Sequence, residues 1–110
     1  MKAVRVHKPG GPEALVYEDL PDPKAGAGQA VVRVEAAGLN FTEVYTRKGA
    51  NPAAMPTLMG VEGAGTVAET GPDVSEFKAG DRVAFYGVPG AYAEMALDIL
   101  QFDLHLSAQF

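Results

Sequence analysis

The sequence has no cysteine in its 110 residues. Disulfides and thiolate metal sites are therefore excluded, and nothing calls for an oxidising compartment, so cytoplasm is the expected location. Long apolar runs are missing too. None approaches the ~20 residues that span a bilayer, and the first residues, MKAVRVHKPGGPE, hold no apolar signal-peptide core. Positive charge is also scarce: nine Lys and Arg stand against fourteen Asp and Glu, a net charge of -5. Nucleic acids and anionic membranes both select basic faces, so neither is an expected partner.

What the chain has in excess is turn residues, thirteen glycines and eight prolines spread along its length. Many short strands punctuated by Gly and Pro compose a small barrel or sandwich, and the size suits one domain. MKAVRVH alternates and ends at the turn cluster KPGGPE, so it reads as a strand; ALVYEDLP follows as a second, antiparallel to the first. AVVRVEAAGLN is the clearest strand, with Val32, Val34 and Ala36 on one face and Val31, Arg33 and Glu35 on a solvent face. VEGAGTVAETG, GDRVAFYGVPG and AYAEMALDIL read as further strands, and Gly63 and Gly65 predict a bulge or a close backbone approach. ANPAAMPTLMG, with two prolines and no period, reads as a loop.

Only FTEVYTRK changes period: Phe41, Val44, Tyr45 and Lys48 recur at helical spacing, and Gly49 suits a C-terminal cap. Asn40 has the position and chemistry of an N-cap, and Glu43, three residues on, completes a capping-box spacing. Taken locally, Asn40 is a cap and Tyr45 a core aromatic with its hydroxyl at the edge. MGVEGAGTV holds Gly60, Gly63 and Gly65, but its G-x-x-G-x-G spacing is not the dinucleotide fingerprint. Its one charge, Glu62, requires solvent or a partner. His7 and His105 have no companions at ligand spacing, so no metal site is expected.

Four blocks in unbroken order, MKAVRVHKPGGPEALVYEDLPDP, VVRVEAAGLNFTEVYTRKG, PTLMGVEGAGTVAETGPDVSEFKAGDRVAFYG and GAYAEMAL, together resemble the N-terminal part of a medium-chain dehydrogenase/reductase. Within that superfamily the match is to the zinc-independent quinone oxidoreductases, the zeta-crystallin-like branch. The resemblance implies a mainly β, GroES-like, partly open barrel with one or two short helices over residues 1–97. Residues 98–110, DILQFDLHLSAQF, form an unmatched tail in which a terminal strand is one option. It also implies metal-free chemistry: where zinc alcohol dehydrogenases carry a cysteine ligand this chain has Asn40, and where they carry a histidine before a glutamate it has Val61 before Glu62. In the quinone branch the residue matching Asn40 lies beside the nicotinamide and the aromatic matching Tyr45 lines the substrate cleft. Asn40 and Tyr45 are thus the implied catalytic residues, with Asn40 and Phe41 toward NADPH and a quinone or enone as substrate.

Two departures from the branch stand out: Glu43 replaces a common aspartate, and Asn51 replaces a frequent aromatic in the loop after the helix, which bears on the pocket's shape. The Rossmann unit that grips the pyrophosphate in these enzymes has no counterpart in the sequence. The chain is therefore expected to be a catalytic-domain fragment, inactive alone. A stand-alone GroES-like binding or assembly module, or a truncated product without function, are the alternatives. Oligomeric state is left open.

Overall fold

The computed structural model describes residues 1–99 and 104–105. The chain is mainly β, with two antiparallel sheets and a single short α-helix among the described residues. Strands β1 (Lys2–Val6), β2 (Leu15–Asp19) and β4 (Thr57–Leu58) form a three-stranded sheet in the order β2-β1-β4. Strands β3 (Gln29–Ala37), β5 (Glu62–Thr70), β6 (Arg82–Tyr86), β7 (Met95–Ile99) and β8 (Leu104–His105) form the second, in the order β7-β3-β5-β6-β8. The β1–β2 hairpin pairs Lys2 with Asp19 and Val6 with Leu15, the arrangement its turn cluster predicts.

β4 corrects the loop reading of ANPAAMPTLMG. Two residues, paired to Arg5 and Val6, are too few to show any alternation in sequence. The face reading of β3 also needs amending. Arg33 and Glu35 are exposed, but Val31 is buried at 2%. Two register shifts against β5, at Val31/Val32 and Val34/Ala36, interrupt the strict period-2 pattern.

The second of those shifts lies opposite the glycines. A side chain at Gly65 would place its Cβ 1.9 Å from the Arg33 carbonyl oxygen, and one at Gly63 would meet the Phe85 ring at 2.7 Å. The close approach that Gly63 and Gly65 predict is thus present, and it brings β3, β5 and β6 together over the core. That core consists of Ala30, Val32, Val67, Phe77, Val83, Phe85, Ala91 and Ala96, with Val34, Val74 and Tyr92 packed against it.

The sheets are tied together through the segment before β7. Val4 N–H donates to the Tyr92 carbonyl at 2.8 Å and Glu94 N–H to the Lys2 carbonyl at 3.0 Å, around an Ala3–Ala93 bridge. β7 continues through Asp98 and Ile99, which pair with Ala30 and Gln29, so the expected tail begins inside a paired strand. Leu104 and His105 pair with Ala84 and Val83, and the other tail residues after Ile99 lie outside the described residues.

Candidate functional site

The site forms where β3 ends, α1 (Phe41–Lys48) begins, and the chain enters β5. Asn40 is the N-cap in extended conformation, and Gly49 closes the helix with a left-handed φ of 87°. The capping-box spacing of Asn40 and Glu43 is used from the Glu43 side, with Asn40 N–H donating to Glu43 Oε2 at 2.8 Å. Glu43 reaches further than a cap requires: its Oε1 accepts the Val61 N–H at 3.2 Å, and the residue is 7% exposed. One buried carboxylate thereby ties the helix to the strand entry, its charge met by two main-chain N–H groups.

The Asn40 side chain turns to a second carboxylate. Its Nδ2 donates to Glu62 Oε2 at 3.0 Å, so Glu62, an exposed residue, has a partner as well as solvent. Tyr92 comes in from the sheet junction, where Gly60 lets it approach: a Cβ at Gly60, whose φ is 87°, would sit 2.6 Å from the Tyr92 amide nitrogen. The Tyr92 hydroxyl donates to the Gly38 carbonyl at 3.3 Å. Burial, and then the charges of Glu43 and Glu62, raise its pKa above the usual phenol value.

Asn40, Glu43 and Tyr92 line a cavity of about 250 Å³ whose other walls are Leu15, Leu39, Val44, Arg47 and Met59. A second, shallower cavity of about 230 Å³ is bounded by Leu39, Asn40, Phe41 and Val44. Asn40 stands in the wall of both. Both are smaller than the roughly 300–1,000 Å³ of a usual ligand pocket, but they share its apolar walls and few placed polar groups. A larger one of about 450 Å³, between Met1, Pro23, Leu58 and Leu97, contains none of the predicted site residues.

The predicted residues are placed unequally. Asn40 and Phe41 share the shallower cavity, with Phe41 79% exposed at its rim. Tyr45 lines neither cavity that Asn40 lines, and at 51% exposed it is not a core aromatic, which corrects the local reading. The reason is that α1 presents its aromatic residues outward; Glu43 is its one buried residue. Asn51 folds back on the helix, its Nδ2 within 3.2–3.4 Å of the Thr42 carbonyl and the Thr42 and Thr46 hydroxyls.

Sequence reasoning missed Tyr92, Arg47 and Met59 as cavity residues. Tyr92 was visible only as one face of a strand, and its reach depends on Gly60. No group of three or more His, Asp or Glu among the described residues is placed to hold a metal. No helix among them is long and apolar enough to cross a membrane.

The class these features define is a two-sheet β domain whose helix N-cap, Asn40, stands in the wall of two small cavities. The chain belongs to the alcohol dehydrogenase GroES-like domain family, whose pattern matches residues 26–98. Its relatives include quinone oxidoreductases of the medium-chain dehydrogenase/reductase superfamily. It is 47% identical over 88 residues to a quinone oxidoreductase of Pseudomonas aeruginosa, covering 78% of this chain and 27% of that protein. It is 38% identical over 100 residues to a 2-haloacrylate reductase of Burkholderia, covering 86% of this chain and 30% of the relative. The Escherichia coli quinone oxidoreductase crystallised with NADPH superposes with a TM-score of 0.94 at 32% identity, over 100% of this chain and 34% of that one. The chain thus spans about a third of the length of the proteins it matches.

Proposed function

We propose that the chain is the catalytic-domain portion, residues 1–97, of an NADPH-dependent reductase of quinones or other conjugated carbonyls. The observation that carries this reading is the Asn40 amide, held at the wall of two apolar cavities by partners on both its main chain and side chain. The kinship to quinone oxidoreductases supports it, and the 2-haloacrylate reductase widens the substrate class to conjugated acids. NADPH, when bound, supplies a hydride.

This chain's residues fit one end of that cofactor. Asn40 offers an amide that can meet a carboxamide or a substrate carbonyl, and Phe41, Leu39 and Val44 form an apolar rim able to cover a flat ring. Met59, buried at 2%, backs the neighbouring cavity, and the Tyr92 hydroxyl is there as a protonated donor at neutral pH, as any phenol is. The ribose and pyrophosphate have no such fit: the single α-helix among the described residues follows β3 without a glycine fingerprint. The chain alone is therefore inactive in this reading, and a dinucleotide-binding domain is the partner it needs. Tyr45, on the outer face of α1, would act only from a substrate lying across that face. A cytoplasmic location without nucleic-acid or membrane partners accords with the absence of cysteine and the net charge of -5.

The test is NADPH oxidation with 1,4-benzoquinone, by the 110-residue chain alone and mixed with the C-terminal two-thirds of the Pseudomonas aeruginosa relative. The expected result is no turnover alone, turnover in the mixture, and a loss of at least tenfold in the mixture with Asn40→Ala. Turnover by the isolated chain overturns the inactivity; an Asn40→Ala mixture as active as the parent overturns the role of Asn40. The second reading, a stand-alone GroES-like binding or assembly module, draws on Leu39 and Phe41, 86% and 79% exposed. A defined oligomer in sedimentation equilibrium, with no activity in the mixture, would favour it.

A further inference from the structure

An asparagine amide has two ends of opposite character, and turning it over exchanges a donor for an acceptor. What Asn40 can offer a ligand therefore depends on what fixes the amide. Its Nδ2 lies 3.0 Å from Glu62 Oε2. A carboxylate only accepts, so the nitrogen end must face Glu62; the flipped amide would set two oxygen acceptors against each other at that distance.

Glu62 is itself well anchored. It begins β5, pairs with Tyr86, and accepts the Gly38 N–H on its carbonyl at 2.9 Å. Its carboxyl group then folds back over Gly38: a Cβ there would lie 2.6 Å from the carboxyl carbon and 2.7 and 2.8 Å from its oxygens. The φ of Gly38 is not in the left-handed region, so its backbone does not require glycine. What a side chain at this position would meet is the end of the Glu62 side chain, which would have to swing away from Asn40 to make room.

We propose that Glu62 is a positioning residue that sets the orientation of the Asn40 amide at the cavity wall, and that Gly38 leaves the Glu62 carboxyl the space a side chain would take. Glu43 holds the Asn40 main chain from one side at 2.8 Å and Glu62 holds its side chain from the other. The significance of the latch for hydride transfer rests on the proposed reductase reading; its existence does not, and it can be tested on the chain alone.

The sequence contains two asparagines, Asn40 and Asn51. Selective ¹⁵N-asparagine labelling thus gives two side-chain NH₂ pairs, with Asn51 as an internal control for the fold, since it bonds to Thr42 and Thr46 of α1. In the parent chain the Asn40 pair is expected away from the position of a solvated asparagine and slow to exchange with water. Glu62→Ala should move it to the solvated position, and Glu62→Gln, which offers both a donor and an acceptor, should give an averaged or doubled pair. Gly38→Ala should reproduce the Glu62→Ala shift although it alters neither partner. In all three the Asn51 pair should stay in place. An Asn40 pair unmoved by Glu62→Ala overturns the latch, and one moved by Glu62→Ala but not by Gly38→Ala overturns the role of Gly38.

Discussion

Glu43 accepts the main-chain N–H of Val61, eighteen residues along the chain, at 3.2 Å while its other oxygen takes the N–H of Asn40 at 2.8 Å. Removing the carboxylate leaves two main-chain donors without their partner in a poorly hydrated place. Leaving such a group unsatisfied costs about 1–3 kcal/mol. Glu43→Ala should therefore lower the unfolding free energy in urea by about that amount. Glu43→Gln keeps one acceptor oxygen and should lose less.

Gly65 and Gly80 predict unequal costs, from different causes, for the same substitution to alanine. At Gly65 the new Cβ would lie 1.9 Å from a main-chain oxygen of the neighbouring strand, and neither strand can yield without breaking the register. Gly65→Ala should cost at least about 3 kcal/mol, or prevent folding. Gly80 has a φ of 95° and open space around it, so alanine there meets only backbone strain, about 1–2 kcal/mol. Paired denaturant titrations of the two variants check the contrast.

On the outer sheet, Arg5 Nε and His7 Nε2 both lie 2.6 Å from Glu18 Oε1. The hydrogen bond from Arg5, and then that from His7, hold the Glu18 carboxyl below its ordinary pKa of 4.5. A carboxylate depressed in the folded state adds stability above the unfolded pKa and loses it as pH falls through the folded one. The melting temperatures of the parent and of Glu18→Gln should draw together as pH falls from 4.5 through the lower folded value. Differential scanning calorimetry across that range measures it.

Tyr92 predicts the matching behaviour at the alkaline end. Its folded pKa is raised above the ordinary 10.0, so its neutral form is favoured by folding. That contribution is complete below pH 10 and is lost as pH rises through the folded value. Tyr92→Phe should flatten this part of the alkaline stability limb, and absorbance at 295 nm should lose its latest tyrosinate step.

Much of this architecture is legible in the residues. The β1–β2 hairpin follows from alternation and a Gly/Pro turn, the helix from a change of period between Asn40 and Gly49, and the β3–β5 contact from Gly63 and Gly65. The direction in which α1 faces is not legible, because helical spacing groups Phe41, Val44 and Tyr45 without saying which side meets the body. Nor is the burial of Glu43, since a carboxylate is assigned to solvent unless its partners are known, and here they are main-chain groups with no sequence signature. Tyr92 enters the site because Gly60 lets two segments of backbone touch, a fact of distance rather than of pattern. β4 is simply too short to have a period.

The helix that carries Asn40 is fastened mostly by polar ties: Glu43 to Val61, Asn40 to Glu62, and the Arg47 carbonyl to the Gly10 N–H at 2.9 Å. The sheets are held instead by an apolar core, whose stabilisation fades on cooling. Val61 leads into β5 and Glu62 begins it, so those ties end on the sheet that the core holds. The geometry around Asn40 therefore weakens on chilling together with the core, as one cooperative unit.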